Sequence, residues 1–140
     1  MSKVAVVYWS CTGNTEAMAR AVLEGVNSLA EGELFESREF DASMISSFDA
    51  VAFGCPAMGW EQLEDFVFEP MFDSCKASLS GKKVGLFGSY GWGNGQWMRN
   101  WEDSCRDSGM LLPHQSVICS GHPEAECIES CKSLGRSLVN

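Results

Sequence analysis

The chain has 140 residues, 45% of them hydrophobic and 21% charged, and carries a formal net charge of -9. That length and balance describe one soluble globular domain, able to bury about two-thirds of its unfolded surface without a metal or a disulfide. The acidic charge argues against nucleic acid or an anionic membrane as a partner, and the apolar runs are far too short to span a bilayer. The first residues enter a strand pattern with no signal-peptide segment, so a cytoplasmic location is expected.

Apolar runs alternate with helix-period segments, without a repeat or low-complexity linker, which predicts a βαβ series. Lys3 to Trp9 is a near-continuous hydrophobic run, the pattern of a central strand covered on both faces. After Ser10-Cys11-Thr12-Gly13-Asn14-Thr15, a helix is predicted to start near Asn14, with Met18, Ala21, Val22, Val26 and Leu29 on its packed face. Leu34 to Phe40 mixes apolar and charged residues and reads as an edge strand. Ala50 to Gly54 is the next buried strand, and Pro56 and Gly59 force the chain after it into a loop. Pro70 suits the first turn of a helix placed around Phe66 to Cys75.

Val84 to Gly88 is a fourth strand, followed by the loop Ser89-Tyr90-Gly91-Trp92-Gly93-Asn94-Gly95. Trp97, Met98, Trp101 and Cys105 mark a third helix, closed by Gly109. Met110 to Cys119 reads as a last strand interrupted at Pro113. Pro123 opens a final helix whose acidic start and basic end suit the helix dipole. Right-handed crossovers between parallel strands then put the first strand at the centre, and the loops after Trp9, Gly54 and Gly88 share the carboxyl edge of the sheet, where ligands bind.

Seven cysteines without a Cys-x-x-Cys pair give weak grounds for a disulfide framework or metal site. Buried small hydrophobes are the expected role, and the closest pair, Cys127 and Cys131, falls on the last helix. His114 and His122 are read as solvated loop residues.

A helix start near Asn14 offers unpaired N–H groups, and an anion there gains roughly 0.3 to 2 kcal/mol from the dipole. Ser10, Thr12, Asn14 and Thr15 add side-chain donors, yet no Lys or Arg lies in the loop, and neither Gly-x-x-x-x-Gly-Lys-Ser/Thr nor Gly-x-Gly-x-x-Gly occurs. That favours the single phosphate of a held cofactor over a nucleoside triphosphate. Met58, Trp60, Tyr90 and Trp92 on the other two loops supply flat apolar surfaces suited to a planar ring.

The Ser-x-Thr-Gly-Asn-Thr-Glu loop, Gly54-Cys55-Pro56-Ala57-Met58-Gly59 and the run from Gly81 to Gly93 resemble the short-chain bacterial flavodoxins over nearly the whole chain. The insertion in the last strand that marks long-chain members is missing. The resemblance implies an α/β three-layer sandwich with a five-stranded parallel sheet in the order 2-1-3-4-5 and helices on both faces. It implies non-covalently bound FMN and a low-potential one-electron carrier between redox enzymes, with no substrate of its own. Ser10, Thr12, Gly13, Asn14 and Thr15, with Ser89 nearby, would hold the phosphate. Trp92 and Met58 would cover the two ring faces, and Glu61 would accept from the flavin N3–H.

Gly59 matches the residue whose peptide turns over on reduction, so that its carbonyl would accept from the N5–H of the neutral semiquinone. Cys11, Pro56, Ala57, Trp60, Tyr90, Gly91 and Gly93 complete the cofactor-binding set expected from these loops. Two residues depart from the pattern. Cys11 replaces a small Gly or Ser-like residue, and Trp60 replaces an Asp or small polar residue after the turning glycine. Redox partner proteins with basic docking patches and a monomeric state are expected. The alternative is an FMN-dependent NAD(P)H:quinone reductase-like enzyme, disfavoured because Met58 and Trp92 would occupy both ring faces. A phosphate-binding regulatory domain is disfavoured because the third strand ends in Gly54 and Cys55, not a phospho-acceptor Asp.

Overall fold

The computed structural model describes residues 2–139. Five parallel strands, β1 (Lys3–Tyr8), β2 (Glu31–Glu36), β3 (Ala50–Gly54), β4 (Lys83–Tyr90) and β5 (Val117–Ser120), form one sheet in the order β2-β1-β3-β4-β5. Four helices, α1 (Asn14–Asn27), α2 (Phe68–Cys75), α3 (Gln96–Asp107) and α4 (Ala125–Ser137), cover its two faces.

Alternation along the strands decides which helix goes where. Val4, Val6 and Tyr8 of β1 and Ala50 and Ala52 of β3 point to one face, where Met18, Val22 and Val26 of α1 meet Leu134 and Leu138 of α4. Ala5, Val7, Val51, Phe53, Val84 and Leu86 point to the other, under Phe68 and Phe72 of α2 and Trp97 and Trp101 of α3. Phe53 and Trp101 each meet Phe68 and Phe72 edge to face, with centroids 5.0 to 6.4 Å apart for Phe53, while Phe68 and Phe72 stack on each other at 6.1 Å. Trp101 Nε1 is a buried donor without an acceptor among the described residues, at a cost of about 1–3 kcal/mol.

Two expected strands shift. The edge strand begins at Glu31 and ends at Glu36, because Gly32 tucks against Leu23 and Val26 and so extends the strand, and because Ser37–Glu39 curl into a 3-10 turn. The last strand is reduced to Val117–Ser120; before it, Leu111 makes a single bridge to Lys83, and Pro113 leads away from the ladder. Leu29 lies beyond the end of α1 and is exposed. His114 is a partly exposed loop residue, and its Nε2 lies 3.1 Å from Ser133 Oγ on α4.

The cysteines divide. Cys55, Cys75, Cys105 and Cys131 are buried, as expected, and burial pushes the Cys105 and Cys131 thiols up to about 12. Against expectation, Cys119 of β5 is disulfide-bonded to Cys127 of α4, with Cα atoms 6.3 Å apart. Sequence spacing drew attention to Cys127 and Cys131, but their partner-facing directions are set by β5 packing beside α4.

α2 has no side-chain cap from the residue before it. Glu64 does that work: Oε1 accepts from the N–H groups of Val67 (2.8 Å) and Phe68 (2.7 Å), and Oε2 from Phe66 N–H (2.9 Å). Burial pushes its carboxyl pKa up, but the three N–H bonds outweigh burial and hold it below the ordinary carboxylate value. A depressed folded pKa stabilises above the unfolded value, about 4.3, and this is lost as pH falls through the lower folded value. Glu64→Gln should cost about 1.5–3 kcal/mol at pH 7. Denaturant titrations from pH 7 to pH 3 should show the variant and the parent converging as Glu64 protonates.

α1 and α4 touch backbone to backbone. A Cβ on Gly25 would run into the Lys132 carbonyl, and one on Gly135 into the Val22 carbonyl. Gly25→Ala or Gly135→Ala should destabilise by about 1–3 kcal/mol through overpacking, despite the better helix propensity of Ala, as read by chemical denaturation.

Candidate functional site

The loop after β1 is arranged around Ser10. Its Oγ accepts from Gly13 N–H (3.1 Å) and Glu16 N–H (3.3 Å), curling residues 10–13 in front of α1. Gly13 turns the chain into the helix at φ +95°, a left-handed conformation that favours glycine. The N–H groups of Thr12, Asn14 and Thr15 donate to no group among the described residues, so the first turn of α1 keeps free donors. Thr15 is buried, and its Oγ1 lies 2.9 Å from Ser89 Oγ at the end of β4. Ser89 N–H also donates to Thr15 Oγ1 (3.4 Å), and the pair fixes the first loop against the third.

The loop after β3 continues the sheet's hydrogen bonding past the strand. Cys55 N–H donates to Phe87 O (3.1 Å) and Ala57 N–H to Ser89 O (3.0 Å), while Trp97 Nε1 donates to Cys55 O (3.3 Å). Met58 and Gln62 then exchange N–H···O bonds of 2.8 and 2.9 Å, closing a tight hairpin with Gly59, Trp60 and Glu61 at its tip. Gly59 has φ +48° and Glu61 φ +54°. A non-glycine residue there costs about 1–2 kcal/mol, offset because Glu61 Oε1 accepts from Gly95 N–H (3.2 Å) and Gln96 N–H (3.0 Å) at the start of α3. Gly93 packs on the same carboxylate, 2.7 Å from where a Cβ would sit to Oε1.

Ser10, Cys11, Thr12, Asn14, Thr15, Pro56, Ala57, Met58, Ser89, Tyr90 and Gly91 line a single cleft of about 300 Å³ at the carboxyl edge of the sheet. Of the other residues singled out from the sequence, Gly13 lies behind the cleft at the start of α1. Gly59, Trp60, Glu61, Trp92 and Gly93 belong to the hairpin and the facing loop, outside the cleft's lining. There Trp60 and Trp92, both largely exposed, stand edge to face with centroids 6.1 Å apart. Trp92 therefore meets Trp60, and Glu61 is tied to α3 through Oε1.

Gly121 also lines the cleft and went unnoticed in the sequence. Its N–H donates to Tyr90 O (2.9 Å), bringing the loop after β5 into the same wall. The signal was available: Ser120-Gly121-His122-Pro123 is a turn at the carboxyl end of a strand, like the other three. Glu64, which holds the base of the hairpin loop through Phe66–Phe68, had no such signal, because its partners are backbone groups.

The cleft has the donor set and shape for a phosphorylated planar cofactor. Free helix-start N–H groups and hydroxyls without a cation mark one end, and small and apolar residues such as Pro56, Ala57 and Met58 mark the other. Among the described residues no group of three His, Cys, Asp or Glu side chains is placed to hold a metal ion. No helix among them is long and apolar enough to cross a membrane.

Known proteins share the sequence pattern and the fold. The flavodoxin family model matches residues 6–133. The chain is 42% identical over 137 residues to a flavodoxin of Megasphaera elsdenii, covering 97% of this chain and 98% of that one. It is 37% identical over 136 residues to a flavodoxin of Clostridium beijerinckii, covering 96% and 98%. Its fold superposes on the solution structure of the two-electron reduced Megasphaera elsdenii flavodoxin with a TM-score of 0.88 at 43% identity, covering 96% and 97% of the two chains. The chain belongs to the flavodoxin family, FMN-binding proteins that carry electrons and do not transform a substrate of their own.

Proposed function

We propose that residues 1–140 form a single domain that holds one FMN in this cleft, with its phosphate in the 10–15 loop and its ring between the Met58 hairpin and the Trp92 loop. The observation that carries this reading is the convergence of the three strand-end loops, fastened by Thr15 to Ser89 and by Ala57 to Ser89, on one cleft with a helix start at its side. Bound FMN supplies one-electron redox chemistry. The chain's part is to hold, shield and bias it.

At the phosphate end, the N–H groups of Thr12, Asn14 and Thr15 and the hydroxyls of Ser10 and Thr12 are the donors, with Cys11 exposed beside them. Without a Lys or Arg there, binding rests on charge-assisted hydrogen bonds and the α1 dipole. At the ring end, Met58 and Trp92 supply the covering surfaces, Tyr90, Gly91, Pro56 and Ala57 the wall, and Gly93 the room for Glu61. The Glu61 carboxylate has two oxygens, and one is held by α3. The other serves as acceptor for the flavin N3–H in this reading.

The Gly59 carbonyl is the group that would accept a hydrogen bond from flavin N5–H or turn away from N5. The Met58–Gln62 pair clamps both ends of the hairpin, and the nearest atom to a Gly59 Cβ would be Gln62 Oε1 at 3.9 Å, which leaves room for the peptide to turn. Trp60 lies outside that space, exposed against Trp92. Carboxylates nearby would disfavour negative charge on the ring. Each one about 10 Å away costs on the order of 0.4–1.7 kcal/mol, so the second couple is low-potential.

At the hairpin the exposed Trp60 and Trp92 meet edge to face, and exposed Phe66 follows in a stretch of chain that also carries Glu61 and Asp65. This supports docking of redox partners that present basic patches, with the net charge of -9 steering the encounter. A cytoplasmic monomer is the form proposed.

Thr12→Val keeps the side-chain shape and removes one phosphate donor. FMN affinity should fall roughly 10- to 150-fold, the equivalent of about 1.5–3 kcal/mol, while affinity for riboflavin, which has no phosphate, should stay unchanged. Equal losses for the two ligands in fluorescence titrations would remove the phosphate from this loop. Gly59→Val should disfavour one of the two peptide orientations. The gap between the two one-electron midpoint potentials should narrow by roughly 20–65 mV, the equivalent of one hydrogen bond, in anaerobic potentiometric titration.

A further inference from the structure

The Cys119–Cys127 bridge sits at the margin of the core under α1 and α4, and the chain between its two ends reaches the cofactor cleft at Gly121. Cys119 is in β5, whose next residue but one, Gly121, lines the cleft and donates to Tyr90 O. Cys127 is in the first turn of α4. The bridge therefore closes a short loop, with its ends at a sequence separation of eight, that carries one wall of the cleft. Within that loop Gly121 takes φ +70°.

Beside the bridge is a second cavity of about 320 Å³, lined by Cys119, Cys127, His122, Glu124, Glu126 and Ser130 among others. Cys119 is buried and Cys127 is half-buried, so an incoming nucleophile meets Cys127 first. The buried Cys131, four residues on, takes no part in the pair. A disulfide of this kind inside a reducing compartment is characteristically transient or regulatory.

We infer that Cys119 and Cys127 form a thiol-exchangeable redox site, open to small uncharged or cationic thiols, whose closed state holds the Gly121 wall in place and tightens FMN binding. In the opening direction, a small thiolate attacks Cys127 Sγ, the Cys119–Cys127 bond breaks, and Cys119 leaves as a thiolate that takes a proton from water. A second small thiolate then attacks the outer sulfur of the mixed disulfide and releases Cys127, which is also protonated. Two small thiols become one small disulfide, and the protein gains two thiol groups. Closing runs the same steps backwards with the small disulfide as oxidant. Glu124 and Glu126 line the approach, so an anionic thiol is repelled where a cationic one is drawn in. The effect on FMN rests on the cleft placement proposed above. It follows from preorganisation, because a wall already fixed by the bridge has less freedom to lose when the cofactor binds.

The test uses the full-length FMN-loaded protein equilibrated in cysteamine–cystamine buffers, with a parallel series in reduced and oxidised glutathione. Samples are quenched with an alkylating agent and mapped by mass spectrometry, and the FMN dissociation constant is measured on the same samples. In oxidising buffer Cys119 and Cys127 should be found linked, and in reducing buffer both alkylated. Opening should be faster with cysteamine than with glutathione, and FMN should bind about threefold or more weakly in the opened form. The Cys119→Ser/Cys127→Ser double variant should bind FMN at the weaker level in both buffers; because it retains Cys11, any effect of that exposed thiol shows there too. Free thiols at 119 and 127 in fully oxidising buffer, or a bridge that never opens, would overturn the exchange site. A bridge that opens and closes with no change in FMN affinity would overturn the coupling. Failure of both forms to bind FMN would overturn the cleft placement and the coupling with it, while the alkylation pattern still decides whether the site exchanges.

Discussion

The close approach of β4 to the chain leaving β3 is the constraint on which the rest of the site depends. A side chain on Gly88 would collide with the Cys55 carbonyl, and one on Gly54 with the Phe87 ring. With glycine at both places, ladder bonding runs beyond the end of β3, from Cys55 to Phe87 and from Ala57 to Ser89, and Trp97 closes on Cys55 O from the side. The loop that carries Met58 is thereby fixed to the loop that carries Tyr90. Thr15 reaches Ser89 from the third direction. Three loops that would otherwise move separately share one support.

Rigidity at the base contrasts with freedom at the tip. Below the hairpin, Glu64 gathers three N–H groups and sits buried against the start of α2. Above it, Gly59 has open space around it and Trp60 is in solvent. A peptide that has to reorient next to a cofactor needs this division, since a motion confined to one or two residues leaves the surrounding hydrogen bonds intact. The left-handed Glu61, with its carboxylate on α3, forms the border between the two parts.

The cofactor family was legible because the phosphate loop and the two aromatic loops are local in sequence, and because each needs particular residue types: hydroxyls and one glycine at a helix start, glycine and aromatics at a ring edge. Helix and strand positions were legible from period, except at the edges. There β2 began earlier and β5 shrank, since edge strands are set by what they pack against and not by their own pattern. The hydrogen-bond partner of His114 on α4 and the partner of Cys127 were illegible for the same reason: both join elements brought together only by the crossover from β5 to α4.

By itself the sequence determined an acidic α/β chain with a cation-free phosphate loop before its first helix, and with aromatic loops after two inner strands. Those features are short-range, fixed by strand alternation, helix period and the chemistry of consecutive side chains. Only the tertiary structure decided that Thr15 and Ser89 meet, that Glu61 turns one oxygen to α3, that Trp60 stands against Trp92, that Gly121 is a fourth wall, and that Cys119 lies beside Cys127. Each joins residues on different elements, and their distances exist only once parallel pairing has brought the carboxyl ends of β1, β3, β4 and β5 to one edge.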